Sequence, residues 1–195
     1  MRDRLRCGWV NLKNELYVHY HDDEWGVPVH DDQKLFEMLI LEGAQAGLSW
    51  ETVLKKRENY REAFDHFDPQ KVAKYGAKTI ESLLHNVGII RNRLKITSAI
   101  QNAQVCIEIQ NEFGSFDEYL WGFVNHTPIQ NRYKSINELP AQTDLSEKIS
   151  KDLKKRGMNF VGSTIVSAFM QAVGMVNDHE VGCFRYREVK ELSVK

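Results

Sequence analysis

The sequence has no apolar run long enough to cross a bilayer, and its opening Met-Arg-Asp-Arg-Leu-Arg lacks the hydrophobic stretch of a secretion signal. A membrane role is set aside, and the chain is expected in the cytoplasm. Three cysteines are too few for a disulfide framework, and in a reducing compartment they point to packing or metal binding. Charge of one sign is also lacking. With 26 Lys and Arg against 27 Asp and Glu the net charge is −1, so any contact with nucleic acid must come from a local basic patch. Period-two alternation, repeats and low-complexity segments are nearly absent, which argues against sandwiches, barrels and solenoids.

What is present is helical periodicity. Asp32 to about Leu48 and Trp50 to about Phe64 each repeat apolar residues at spacings of three and four. Asp68 before Pro69 reads as an N-cap followed by proline at the first helical position. Further helices are expected over Lys78–His85, Arg91–Phe113 and Phe116–Val124, with loop over 125–143. Asp144 and Glu147 have the spacing of a capping box that opens a helix to Lys155, and Ser163–Val173 reads as an apolar helix stopped by Gly174. Cys106, mid-helix, reads as a small buried hydrophobe. Residues 1–30 and the last twenty read as irregular. The first thirty still hold Cys7, Trp9, Tyr17, His19, Tyr20, His21 and Trp25, too many rings for an undocked tail. The expected fold class is all-α, with 1–195 as a single domain of two helical lobes.

The stretch Leu41–Trp50 stands out. Leu35, Leu39 and Ala46 define an apolar stripe, and Glu42 falls inside it. A carboxylate on an inward face is costly unless it is paired, protonated or awaiting a ligand. Its neighbours Gly43, Ala44, Ala46 and Gly47 are small and leave room beside the carboxyl. Ser49 fits an N-cap for the next helix, with Trp50 at the bend. An acid, a cleared space and an indole describe a pocket for a flat, polar, cationic ring. The competing reading is a structural Glu42 paired with an arginine and a Trp50 in the core.

Two further constellations carry chemistry. Cys7 and the early histidines lie near one end of the chain, and His179-x3-Cys183 near the other. Two thiolates and two imidazoles would make a closed, structural zinc site pinning both termini, with His19 and His21 both candidates for the N-terminal imidazole. Leu153-Lys-Lys-Arg-Gly-Met-Asn-Phe-Val-Gly-Ser-Thr-Ile joins two helices by a glycine-bounded turn. The N–H groups opening its second helix can take a phosphate, beside Lys154, Lys155 and Arg156. Such contacts position a duplex without reading its sequence. Other basic bunches are Lys55–Arg57 and Arg91, Arg93 and Lys95.

With these pieces placed, the chain closely resembles the bacterial 3-methyladenine DNA glycosylase I family, a branch of the helix–hairpin–helix glycosylases. The likeness rests on Arg6-Cys-Gly-Trp9, Tyr20-His-Asp-Asp-Glu-Trp-Gly-Val-Pro28, Leu35-Phe-Glu-Met38, and Leu41–Trp50 continued through Thr52–Tyr60. It extends through Gly88-Ile-Ile-Arg91, Phe123-Val-Asn-His126, Leu153–Gly157, Phe160-Val-Gly162 and Asn177-Asp-His179, nearly the whole chain in order.

The resemblance implies one catalytic domain that hydrolyses the N-glycosidic bond of 3-methyladenine in alkylated double-stranded DNA. The products would be an abasic site and free 3-methyladenine. It implies Glu42 as the catalytic and base-binding acid, with Trp50, Tyr20, Tyr17 and Trp9 around the base. It implies one structural zinc ion on Cys7, His21, His179 and Cys183, a choice of His21 over His19. It also implies a helix–hairpin–helix at about 146–174, contacting DNA through Lys154, Lys155, Arg156, Gly157, Gly162, Ser163 and Thr164, with zinc-tied termini at 1–30 and 175–195. Ser163 and Thr164 stand where strand-cutting relatives carry a lysine, so a monofunctional enzyme is expected. Asp178 lies roughly where the wider superfamily has an acid, but beside His179, and is not assigned a catalytic role. A monomer is expected. The alternatives are a non-enzymatic zinc-stapled DNA-binding module and a metallohydrolase; the second would need an open metal position.

Overall fold

Residues 4–192 are described by the structure, a computed structural model. The outermost residues of the two segments expected to be tied by zinc, 1–3 and 193–195, lie outside that range. The helix carrying Glu42, α2 (Asp32–Gln45), is enclosed by the others. Asp31 caps it, accepting the Lys34 N–H at 2.8 Å. Asp32 instead reaches across to accept the N–H groups of Phe116 and Asp117 at 2.9 and 2.8 Å, helping Ser115 cap α8 (Phe116–Gly122). Every residue from Leu35 to Ala44 is buried, so α2 is surrounded rather than amphipathic as its stripe predicts. It also stops earlier than expected. Lys95 donates from Nζ to the Ala44 and Ala46 carbonyls at 2.7 Å each, and Ala46 lies beyond the last turn.

The helix expected over 50–64 is two, α3 (Trp50–Leu54) and α4 (Arg57–Ala63). Short α5 (Pro69–Val72) and α6 (Ala77–His85) lead to α7 (Arg93–Phe113), which Asn92 caps. This helix buries Ile96, Ala99, Ala103, Cys106 and Ile109 against α2, α5 and α8. The capping box of α9 (Asp144–Lys155) is one residue earlier than predicted: Thr143 and Ser146 exchange bonds at 3.1 and 2.8 Å, and Asp144 and Glu147 do not form it. A tight hairpin, with Gly157 at φ +102°, leads into α10 (Ser163–Ala172).

Both chain ends hold more regular structure than expected. The first thirty residues form α1 (Glu15–His19), continued by a π-helical turn at Tyr20–Glu24. The expected loop over 125–143 contributes β1 (Ile129–Gln130), which pairs in parallel with β2 (Val176–Asn177). The last residues fold as α11 (Phe184–Leu192), whose single described buried side chain, Val189, gives little periodicity to read. Gly174, at φ +73°, presses the end of α10 onto the segment after Trp25. A Cβ there would lie 2.5 Å from Pro28 N and the Val27 carbonyl carbon. No helix among the described residues is long and apolar enough to cross a membrane.

Candidate active site and metal centre

Glu42 is 5% exposed and has no hydrogen-bond or ion-pair partner among the described residues. Burial alone pushes its carboxyl up to about 8. The arginines that could have neutralised it are engaged elsewhere. Arg57 donates from Nε to Glu37 at 2.6 Å and from Nη1 to Glu24 at 2.8 Å, and Arg61 lies 2.9 Å from Glu37. Glu37 is as buried as Glu42, and burial alone would raise it too; the Arg57 charge holds it below the usual carboxylate range. One helix thus carries a satisfied acid and an unsatisfied one, and the unsatisfied one borders a cavity.

That cavity, about 190 Å³, is lined by Glu42, Tyr17, Tyr20, Trp9, Trp50, Trp25, Gln45, Ala168 and Gln171, closed by Ile136 and Leu139. One water needs about 10–15 Å³ on this scale, so the space suits a group of purine size. The Tyr20 and Trp50 rings are 5.3 Å apart, tilted by 48°. The indole N–H groups of Trp9 and Trp50 are buried without acceptors, a cost that a ligand could remove. A second hollow shares Glu42, Gln45 and Ala168 and runs past Ala46, Gly47 and exposed Leu48 to Thr164 and Ile165. The aromatic cavity therefore communicates with the start of α10. Of the small residues expected to clear this space, Ala46 and Gly47 do so. Gly43 serves packing instead: a Cβ there would lie 3.1 Å from Phe160 Cβ.

Behind the aromatic wall, Cys7, His21, His179 and Cys183 are all buried with their ligand atoms within 4.8 Å of one another. His21 enters this cluster, whereas His19 is exposed and bound to Asp23. Cys7 Sγ is 3.4 Å from His179 Nδ1, and Cys183 Sγ is 3.5 Å from His21 Nε2 and 3.7 Å from His179 Nδ1. A tetrahedron with metal–sulfur bonds of about 2.3 Å and metal–nitrogen bonds of about 2.0–2.1 Å has sulfur–nitrogen edges of about 3.5 Å, so the set fits one metal ion. The outer nitrogens are satisfied as metal-bound imidazoles require. His21 Nδ1 donates to Asp22 at 2.8 Å, Asp22 being gripped by Arg6, and His179 Nε2 donates to the Trp25 carbonyl at 2.9 Å. Trp9 packs edge-on against His21 at 5.3 Å and Trp25 against His179 at 4.6 Å. The π-helical turn places Tyr20 in the pocket and His21 in the Cys/His cluster at consecutive positions, a use of such turns common at functional sites.

The hairpin is clamped from inside. Asn102 accepts the Asn159 N–H and donates to its carbonyl, both at 2.8 Å, and Ser150 donates to the Val161 carbonyl at 2.6 Å. Gly162 gives α10 no side-chain cap, and Val166 makes its first backbone bond, so the N–H groups of Ser163 and Thr164 remain available. Lys154 and Lys155 are exposed. Arg156 is not presented alongside them: it pairs with Glu112 at 2.6 Å and Asp152 at 2.9 Å, over the rings of Phe113 and Tyr119. Of the other basic bunches, Arg57 is buried in its ion pairs and Lys95 is spent on the Ala44 and Ala46 carbonyls.

Trp25, Gln45, Ile136, Leu139, Ala168 and Gln171 line the pocket, and the sequence reading assigned none of them to it. Trp25 carried a signal, since it lies four residues from His21 in an aromatic segment; Gln171, on an apolar helix, carried none.

A family model described as methyladenine glycosylase matches residues 9–186. The chain is 52% identical over 181 residues to the DNA-3-methyladenine glycosylase 1 of Escherichia coli strain K12, spanning 93% of this chain and 96% of that one. It is similar to a crystal structure of a 3-methyladenine DNA glycosylase I, with TM-score 0.90 and 50% identity over 92% of this chain and 98% of the other. A variant 3-methyladenine DNA glycosylase I in complex with 3-methyladenine superposes with TM-score 0.86 at 38% identity, covering 88% of this chain and 92% of that one.

Proposed function

The chain belongs to the methyladenine glycosylase family, and on that premise we propose that it is a monofunctional base-excision repair enzyme that hydrolyses the N-glycosidic bond of 3-methyladenine in alkylated double-stranded DNA. It acts as a cytoplasmic monomer with one catalytic domain, releasing free 3-methyladenine and leaving an abasic site. The observation that carries this reading is the unpaired Glu42 carboxyl in an aromatic cavity.

A base inside the stack cannot be reached, so the damaged nucleotide rotates out of the duplex into the pocket. Methylation at N3 makes the ring a cation. A cation held against the Tyr20 and Trp50 faces gains about 0.5–2 kcal/mol, and Tyr17 and Trp9 complete the wall. Glu42 accepts a hydrogen bond from the exocyclic amine. As the positive charge arrives, the carboxyl that burial had kept neutral gives up its proton to solvent, and the resulting charge-assisted contact is strong once the site is dry. The C1′–N9 bond then breaks with its electron pair left on the base, which departs uncharged. Water adds to the sugar cation at C1′ and gives up a proton. Ordinary adenine, without the ring charge, is held less well and leaves less readily. Ser163 and Thr164 offer no amine for a Schiff base, so the strand is not cut.

Cys7, His21, His179 and Cys183 hold one structural zinc ion. Their four donors leave no open position, and the ion's contribution is to cross-link the chain ends and brace Trp9 and Trp25. Residues 146–174 act as a helix–hairpin–helix. The Gly157–Gly162 turn and the N–H groups of Ser163 and Thr164 take a backbone phosphate, flanked by Lys154 and Lys155, while Arg156 braces α9 against α7.

Incubating the protein with N-methylated DNA and identifying the released bases tests the activity: 3-methyladenine is expected. Release of no base at all would leave the zinc-stapled DNA-binding module in its place. Lys154→Ala and Lys155→Ala are each expected to weaken DNA binding and to reduce the slope of affinity against salt by about 1, without altering base preference. An unchanged slope in both would move the DNA face elsewhere, for instance to exposed Arg91.

A further inference from the structure

The pocket's second acceptor is set by a device outside it. Thr164, Ala168 and Gln171 share one face of α10 at spacings of four and three. Gln171 lies about 10 Å along the axis from the mouth at Thr164, at the aromatic end of the cavity. A glutamine is ambivalent, able to turn either its oxygen or its amine to a ligand. Here that choice is removed. Gln171 Nε2 donates at 2.8 Å to Asp178 Oδ2, and Asp178 Oδ1 accepts from Asn131 Nδ2 at 2.6 Å. Asp178 is buried, 7% exposed, and as a carboxylate it can only accept. Oε1 is therefore the polar atom Gln171 offers the cavity, and no described residue donates to it. The parallel pair β1–β2 builds this arrangement, because Asn131 follows β1 and Asp178 follows β2, with Asn131 N continuing the ladder to the Asn177 carbonyl at 3.3 Å.

We propose that Gln171, oriented by Asp178, selects a 6-amino over a 6-oxo methylpurine. This rests on the base-binding reading of the cavity above. An exocyclic amine has two hydrogens, one for Glu42 on α2 and one for Gln171 Oε1 on the facing α10. A 6-oxo group brings a lone pair against the fixed oxygen. Glu42 takes one of the amine's hydrogens; the acceptor that meets the other is the one fixed on α10. Gln171 is the specificity-determining residue, and Asp178, which does not touch the base, is a positioning residue.

The test is single-turnover release of 3-methyladenine and 3-methylguanine from methylated DNA, with metal content and thermal midpoint recorded for each variant. In Asp178→Asn, the Asn131 donor claims the new amide's oxygen and turns its NH₂ toward Gln171. Gln171 must then reverse and present its own NH₂ to the pocket. The ratio of 3-methyladenine to 3-methylguanine release is expected to fall at least about tenfold, through slower 3-methyladenine and unchanged or faster 3-methylguanine release. Gln171→Met, of similar length and remote from the metal ligands, removes the acceptor without reversing it. It is expected to lower the ratio by a smaller factor, and it decides the matter if Asp178→Asn does not fold. A folded Asp178→Asn that keeps the wild-type ratio, or a Gln171→Met that slows both bases equally, overturns the proposal. Wild-type protein that releases no methylpurine fails the underlying function instead.

Discussion

Cys183→Ser is expected to strip the protein of its metal and to lower its thermal midpoint by about 10–20 °C. The Cys/His cluster joins residue 7 to residues 179 and 183, across segments built of two-residue strands, a five-residue helix, a π-helical turn and α11. Structural zinc in isolated peptides contributes about 10–16 kcal/mol of binding energy. The helical core around α2 and α7 does not depend on the ion, so only part of that reaches global stability. A loss of about 5 kcal/mol, at roughly 2–4 °C per kcal/mol for a chain of this size, gives the expected shift. The effect extends to the pocket, since the Trp25 carbonyl accepts from His179 and Trp9 packs on His21. Base release should therefore fall with metal content, and proteolysis should begin at the two ends. Metal analysis beside a melting curve checks this. Wild-type protein free of zinc, or a chelated protein with an unchanged midpoint, would contradict it.

Glu42→Gln is expected to make the protein more stable at high pH while disabling it. In the folded chain the carboxyl titrates at about 8, against 4.5 for an ordinary glutamate, because burial opposes its charge. Between those values the folded state binds the proton more firmly than the unfolded state, so this group's contribution to stability falls as pH rises through the window. Each tenfold difference in proton affinity between the two states is worth about 1.4 kcal/mol, so the cost above pH 8 has an upper bound of about 5 kcal/mol. The amide has the same shape and no such cost. The two proteins should melt alike near pH 4, and the variant should melt several degrees higher at pH 9. Parallel melting curves across that range would mean that Glu42 is paired or solvated.

The part of this site legible in the sequence is the part written locally. Glu42 showed itself by interrupting an apolar stripe, and Trp50 by following a capping serine. The Gly157–Gly162 turn showed itself by its glycines, and the metal cluster by Cys and His residues in otherwise unstructured ends. The spacing of Cys7, His19, His21, His179 and Cys183 left the histidine open, and only packing, with His21 inward and His19 bound to Asp23 in solvent, separates the two. What could not be read was long-range. Gln171, Asp178 and Asn131 come together through a two-residue parallel pair joining positions 47 apart, too short to leave an alternating pattern. Arg156 reads as one of three adjacent cations, yet Glu112 on α7 and Asp152 one turn earlier on α9 draw it away from its neighbours. The enclosure of α2 escaped its own periodicity because neighbours on every side, rather than the helix's sequence, decide how much of it is covered.

The most direct measurement is single-turnover release of 3-methyladenine from methylated DNA by wild-type protein and Glu42→Gln, each shown to be folded and DNA-bound. A loss of at least about 100-fold in the variant, with DNA affinity unchanged, is the expected result, since a buried charge-assisted contact and the field opposing the ring cation are removed together. Release at the wild-type rate would contradict the account, because the carboxyl would then have no part in holding the alkylated base.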